Sequence, residues 1–105
     1  MATPPKTSVR RSKIHGSGLF AEETIRKGRI IGHFEGKPTT RDGTHVIWIE
    51  GDDGHPYGLR LTGPLRYINH ARRPNAEFEG ERVVALRAIR ANEEITCHYG
   101  DDWDE

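Results

Sequence analysis

With 105 residues, 33% of them hydrophobic and 30% charged, the chain has room for one domain with a thin core. Sixteen basic residues balance sixteen acidic ones, so the basic excess of a general nucleic-acid binder is missing. The single cysteine, Cys97, excludes an internal disulfide framework and a cysteine-rich zinc site and fits a reducing compartment.

The chain begins MATPPKTSVRRSK, without the hydrophobic stretch of a signal peptide, and no later apolar run approaches the ~20 residues of a membrane span. Residues 1–7 are expected to form a flexible lead-in and residues 8–105 the domain. Twelve glycines and six prolines interrupt the sequence throughout, and nowhere do apolar residues recur at helical spacing over three turns. Short runs rich in Ile, Val, Phe and Tyr occur instead over residues 29–34, 45–50, 57–61, 76–79, 82–88 and 94–97, and these predict strands. Asp52-Asp53-Gly54 and Glu79-Gly80-Glu81 are hairpin turn signals, because glycine accepts the positive φ such turns need. Pro64 suits a first helical position, so residues 65–70 are expected to form one helical turn. The expected fold is a small, mostly β domain with much loop and little helix.

Three polar segments stand apart from this pattern. The first is Lys-Ile-His-Gly-Ser-Gly-Leu-Phe-Ala at residues 13–21. Two glycines one residue apart let a backbone approach a ligand and expose amide donors, although taken alone a tight turn before a strand is the plainer account of them. No G-x-G-x-x-G, no Gly-Lys-Ser or Gly-Lys-Thr and no long following helix occur, so dinucleotide and phosphate-loop readings fail. The second segment, residues 66–75, places Asn69, His70 and Asn75 in one irregular stretch. Asparagine offers amide donors and a carbonyl acceptor together, which suits recognition of an amino-acid or adenine moiety; a polar surface loop is the plainer alternative. In the third, residues 94–103, a β-like run delivers Tyr99 directly before Gly100, either as a donor in a narrow site or as an ordinary half-buried aromatic. His15, His33, His45, His55, His70 and His98 show no metal-ligand spacing, so no metal is expected.

Taken together and in this order, the segments resemble the SET-domain family over roughly residues 8–103. That family carries H-G-x-G-L-F-A, then I-x-x-G-x-x-I-x-x-(Tyr/Phe)-x-G, then R-(Phe/Tyr)-I-N-H-(Ser/Ala)-x-x-P-N, then E-(Ile/Leu)-T-x-x-Y-G. The corresponding stretches here are residues 15–21, 25–36, 66–75 and 94–100. The resemblance implies a β-clip fold of small curved sheets in which the C-terminal segment threads, knot-like, beside the Asn-His loop. Asn69 and Tyr99, thirty residues apart, would then share one site.

The resemblance also implies a function: transfer of methyl from S-adenosylmethionine to a lysine amine in a protein. On it, His15, Gly16, Ser17 and Gly18 hold the amino-acid part of the cofactor with Asn69, while the main chain of His70 meets the adenine. Arg66 braces the loop. Tyr99 stands where the methyl passes, and Phe34, Phe78, Cys97 and Trp103 are candidates for the wall of the lysine channel. A basic lysine-containing protein or peptide is the expected partner, with no direct nucleic acid, no membrane and a homodimer allowed. The expected setting is intracellular, cytoplasmic or, in a eukaryotic cell or host, nuclear. Departures from the pattern are Ala71, Arg72 and Arg73 after Asn-His, and His98 where aspartate is common. His98 and the short stretch over residues 39–64, which leaves little room for the insert that larger relatives use to grip substrate, keep a second reading open: a SET-like peptide-binding or complex-forming module without catalysis. A Rossmann-type methyltransferase would need a strand–glycine loop–helix start, which is absent.

Overall fold

The computed structural model describes residues 3–43 and 45–98. Among these residues, ten strands arrange into three small sheets, with one 3-10 turn beside them. In the first, β1 (Thr7–Arg11), β2 (Ser17–Ala21), β10 (Glu94–Cys97) and β7 (Asn69–His70) lie side by side in that order. The second is β3 (Ile30–His33), β9 (Arg82–Ala85) and β8 (Ala76–Glu79), and the third is β4 (Glu35–Thr39), β6 (Pro56–Thr62) and β5 (Val46–Glu50). The mostly β domain of small sheets with little helix expected from the sequence is what forms.

The β-branched and aromatic runs became strands at nearly the expected bounds, and Gly54 and Gly80 take φ of 80° and 60° in the two hairpin turns. Four strands carry no such signal. β1 (TSVRR) and β4 (EGKPT) lie at sheet edges, where polar residues and a proline are tolerated because one side of the ladder needs no partner. β2 contains Gly18, and β7 is two residues long. The helical turn is shorter than expected. Pro64–Tyr67 form a 3-10 turn with the proline in its first positions, after which Ile68 is extended. Pairing of Asn69 and His70 with β10 makes strand geometry the better use of their backbone groups than a second helical turn.

The core gathers Leu19, Ile25, Ile31, Val83, Ile89 and Ile95, each at most 3% exposed. Ile25 and Ile89 exchange backbone hydrogen bonds of 2.8 Å in both directions, which ties the first sheet's flank to the second. The 3-10 turn packs against β1 and β2 of the first sheet and β6 of the third. Of residues 3–7, Pro5 is buried, the Lys6 carbonyl accepts from the Glu22 N–H at 2.9 Å, and Thr7 opens β1.

The last strand among the described residues is an interior strand of its sheet. β10 pairs antiparallel with β2 through Glu94 and Ile95, then parallel with β7 through Thr96 and Cys97. Two motif segments far apart in the chain therefore run side by side, Thr96 opposite Asn69 and Cys97 opposite His70. Parallel neighbours need a long connection, and here β8 and β9 supply it.

Candidate active site

The stretch from Ser12 to Gly18 closes on itself before entering β2. Ser12 N–H donates to the Gly16 carbonyl at 2.8 Å, and Ser12 Oγ accepts from the Ile14 N–H at 2.9 Å. Gly16 has φ of 46°, in the left-handed region that glycine enters without steric cost. Gly18 is needed for a different reason. A Cβ on it would stand 2.8 Å from Glu94 Cδ and nearer still to Oε2. The two glycines thus serve a turn and a close side-chain approach, and the tight-turn account describes the local geometry well.

Asn69 reaches into this turn from β7. Its Nδ2 lies 2.9 Å from Glu94 Oε2 and 3.1 Å from each of Ser12 Oγ, the His15 carbonyl and the Ser17 carbonyl. Three of those four atoms can only accept, which determines which end of the amide is nitrogen. Two N–H groups share the four oxygens, while Asn69 Oδ1 accepts no hydrogen bond among the described residues. His15, Ser17 and Asn69 are brought together, and Ser12 and Glu94 complete the cluster: Ser12 Oγ donates to the Glu94 carboxylate at 2.8 and 2.9 Å. Neither Ser12 nor Glu94 is among the expected site residues, although Glu94 opens the fourth motif. They are 82 residues apart, so no local pattern announces their meeting.

His70 is 8% exposed, and its ring stands edge-on to that of His98 with centroids 4.6 Å apart. On the other side of β10, Asn75 is only 2% exposed and imitates a neighbouring strand. Its Oδ1 accepts from the Thr96 N–H at 2.9 Å, while its Nδ2 donates to the Glu94 carbonyl at 2.7 Å and to Glu93 Oε2 at 3.3 Å. The Pro-Asn end of the second motif is therefore a clamp on β10. Arg66 braces its turn as expected: it donates to the Gly63 carbonyl and to the Tyr67 hydroxyl at 2.8 and 2.7 Å and lies over the Tyr67 ring.

Among the channel candidates, Phe34 and Phe78 touch, with ring centroids 5.3 Å apart and planes tilted by 50°. Phe34 is 7% exposed. Cys97 is fully buried, and burial, aided by the charge of Glu77, pushes its thiol pKa up to about 12. It is a small core hydrophobe in this structure. Tyr99 and Trp103, together with the acidic residues of 101–105, lie outside the described residues. The basic stretch at residues 10–13 is partly spent on neighbours. Arg10 pairs with Glu22, donates to Ser8 and Asn92, and stacks on Phe20.

Residues 39–100 match the family model described as SET domain. Among curated proteins, the chain is 29% identical over 106 residues to "Histone-lysine N-methyltransferase set9" of Aspergillus oryzae, covering 85% of this chain and 16% of that protein. It is 30% identical over 111 residues to the "Histone-lysine N-methyltransferase, H3 lysine-4 specific" of Neurospora crassa, covering 85% and 8%. The chain thus spans less than a fifth of the length of these relatives. Among solved structures, CpSET8 from Cryptosporidium superposes with a TM-score of 0.79 at 23% identity, over 97% of this chain and 61% of that one. A chain of the Chaetomium thermophilum Polycomb Repressive Complex 2, in a humanized mutant bound to the inhibitor GSK126, superposes with a TM-score of 0.74 at 21% identity, over 98% and 16%. With more than half of its residues under the family model and its strands in the same arrangement as these structures, this chain belongs to the SET-domain family.

Proposed function

We propose that this domain is an S-adenosylmethionine-dependent protein-lysine N-methyltransferase. The observation that carries the reading is the junction at β7 and β10. Parallel pairing sets Asn69 and His70 beside Thr96 and Cys97, two residues before Tyr99 in the chain, while the Asn69 amide is seated on the turn of residues 12–18. The residues present suit the cofactor. The His15 and Ser17 carbonyls and Asn69 Oδ1 bring acceptor oxygens together at one turn, and such a cup favours an ammonium group. His15, Gly16, Ser17, Gly18, Asn69 and His70 would hold the cofactor.

When bound, the cofactor supplies an electrophilic methyl group on a sulfonium sulfur. The protein's work is then alignment, exclusion of water and handling of a proton. A lysine amine with an ordinary pKa of ~10.4 must lose its proton before it can attack. Aromatic walls such as Phe34 and Phe78 favour the neutral amine by withholding solvent from the ammonium. Tyr99 orients the amine and stabilises charge; a tyrosine of ordinary pKa ~10 is protonated at neutral pH and makes a poor base. The substrate is a basic protein segment, a histone tail being the chemistry that the relatives' names suggest, and the setting intracellular or nuclear.

The test is incubation with radiolabelled S-adenosylmethionine and a panel of basic proteins, histones included, with Tyr99→Phe and Asn69→Ala alongside. Label on lysine is expected from the wild type. Tyr99→Phe should retain cofactor binding in calorimetry and lose turnover, whereas Asn69→Ala should weaken the binding itself. Cofactor binding without transfer to any basic protein would assign the domain to peptide binding instead.

A further inference from the structure

We propose that Glu94 is a positioning residue that sets cofactor affinity by holding the 12–18 turn and Asn69 in register with β10. The inference rests on the methyltransferase reading above and concerns a residue that does not itself line the cup. One carboxylate gathers three separate parts of the chain. It accepts the Ser12 hydroxyl at 2.8 and 2.9 Å and the Asn69 amide at 2.9 Å, and it occupies the space a side chain at position 18 would need. Its own backbone belongs to β10, where its carbonyl is clamped by Asn75. The carboxylate thus links the strand leading to Tyr99 with both elements that carry the cup's oxygens.

Charge supports the same role. Glu94 is half-buried and joins no ion pair among the described residues. A partly buried carboxylate normally finds a cation. Among the described residues the carboxylate is satisfied by neutral donors only, and its charge falls on the side of the turn where the His15 and Ser17 carbonyls also point their negative ends at the Asn69 amide. That field suits a ligand bearing an ammonium group. It also holds the Asn69 nitrogen inward, leaving Asn69 Oδ1 to face away and accept from a ligand. A glutamine at position 94 would keep the shape but lose the charge. It would also turn one of its acceptors into a donor, facing either Ser12 or the Asn69 amide.

Calorimetric titration with S-adenosylhomocysteine, paired with thermal melts of unliganded protein, separates the possibilities. Glu94→Gln should weaken binding about tenfold, ~1.4 kcal/mol, while its unliganded Tm falls by no more than ~5 °C. In steady state the KM for the cofactor should rise by more than kcat falls. Ser12→Ala should weaken binding about threefold, and the double variant should lose less than the product of the two factors, because both changes break one linkage. Wild-type binding with Glu94→Gln within twofold of it overturns the role of Glu94 and leaves the methyltransferase reading standing. Failure of the wild type to bind overturns that reading instead. Should Glu94→Gln not fold, Ser12→Ala decides alone, and unchanged binding there also overturns the proposal.

Discussion

Replacing Asn75 by alanine should be among the most damaging single changes in this domain, although no ligand need touch it. The side chain is 2% exposed and bonds the two backbone groups that β10 turns toward it, the Thr96 N–H at 2.9 Å and the Glu94 carbonyl at 2.7 Å. In alanine both are left without a partner where water has little access. Each orphaned group costs about 1–3 kcal/mol, and the space left by the amide adds a small cavity cost, so the total is about 3–5 kcal/mol. The longer bond to Glu93 Oε2, 3.3 Å, contributes little, because that carboxylate reaches water. Against the roughly 5–15 kcal/mol that holds an ordinary domain together, the loss is about a fifth or more. For a chain of this size it corresponds to a fall in Tm of about 12–40 °C. Urea denaturation followed by circular dichroism measures it directly, with the slope checked for two-state behaviour. Asn75→Asp retains the acceptor for Thr96 and removes the donor to Glu94, so at neutral pH it should recover little. An Asn75→Ala protein within ~1 kcal/mol of wild type would refute the clamp.

The Cys97 thiol, fully buried with its pKa pushed up to about 12, should resist thiol reagents in the folded protein and react at an ordinary rate in urea; rapid labelling under native conditions would contradict that placement. Burial pushes Glu93 upward, but hydrogen bonds from Arg87, the Arg90 N–H and Asn75 outweigh it and hold the carboxyl below its ordinary 4.5. Its contribution to stability is therefore present above pH 4.5 and lost as pH falls through the lower folded value. Arg87→Ala should flatten the acid limb of a stability–pH curve and cost no more than ~1 kcal/mol at pH 7, since the Arg87–Glu93 pair is partly exposed; an unchanged acid slope would count against this pairing. Under the proposed reaction, neither Phe78 nor Cys97 offers a phenol hydroxyl to limit the product, so transfer beyond monomethyl-lysine is expected by mass spectrometry. Phe78→Tyr should shift product toward fewer methyl groups, whereas Cys97→Tyr should mainly overpack the core, by about 1–3 kcal/mol.

The strands over Ala76–Glu79 and Glu94–Cys97 were legible to the residue, because β-branched and aromatic residues bounded by turn formers prefer a pleated, half-buried surface whatever lies beside it. The Asp52-Asp53-Gly54 and Glu79-Gly80-Glu81 turns were legible for the equally local reason that glycine accepts positive φ. The motif series from His15 to Gly100 pointed to the SET-domain family without any fold being in view. What the sequence could not show is set by contacts between distant residues. β1 and β4 are strands because a neighbour offers them a ladder, not because Thr-Ser-Val-Arg-Arg or Glu-Gly-Lys-Pro-Thr prefers to be extended. Asn69 and His70 leave helical geometry because β10 pairs with them. Gly18 is glycine because a carboxylate from residue 94 passes 76 positions later in the chain. Asn75, Ser12 and Glu94 carry ordinary polar side chains whose roles arise only where β10 lies between β2 and β7. A backbone preference acts within a few residues and is written in them, while a hydrogen-bond partner is chosen by the whole chain's path.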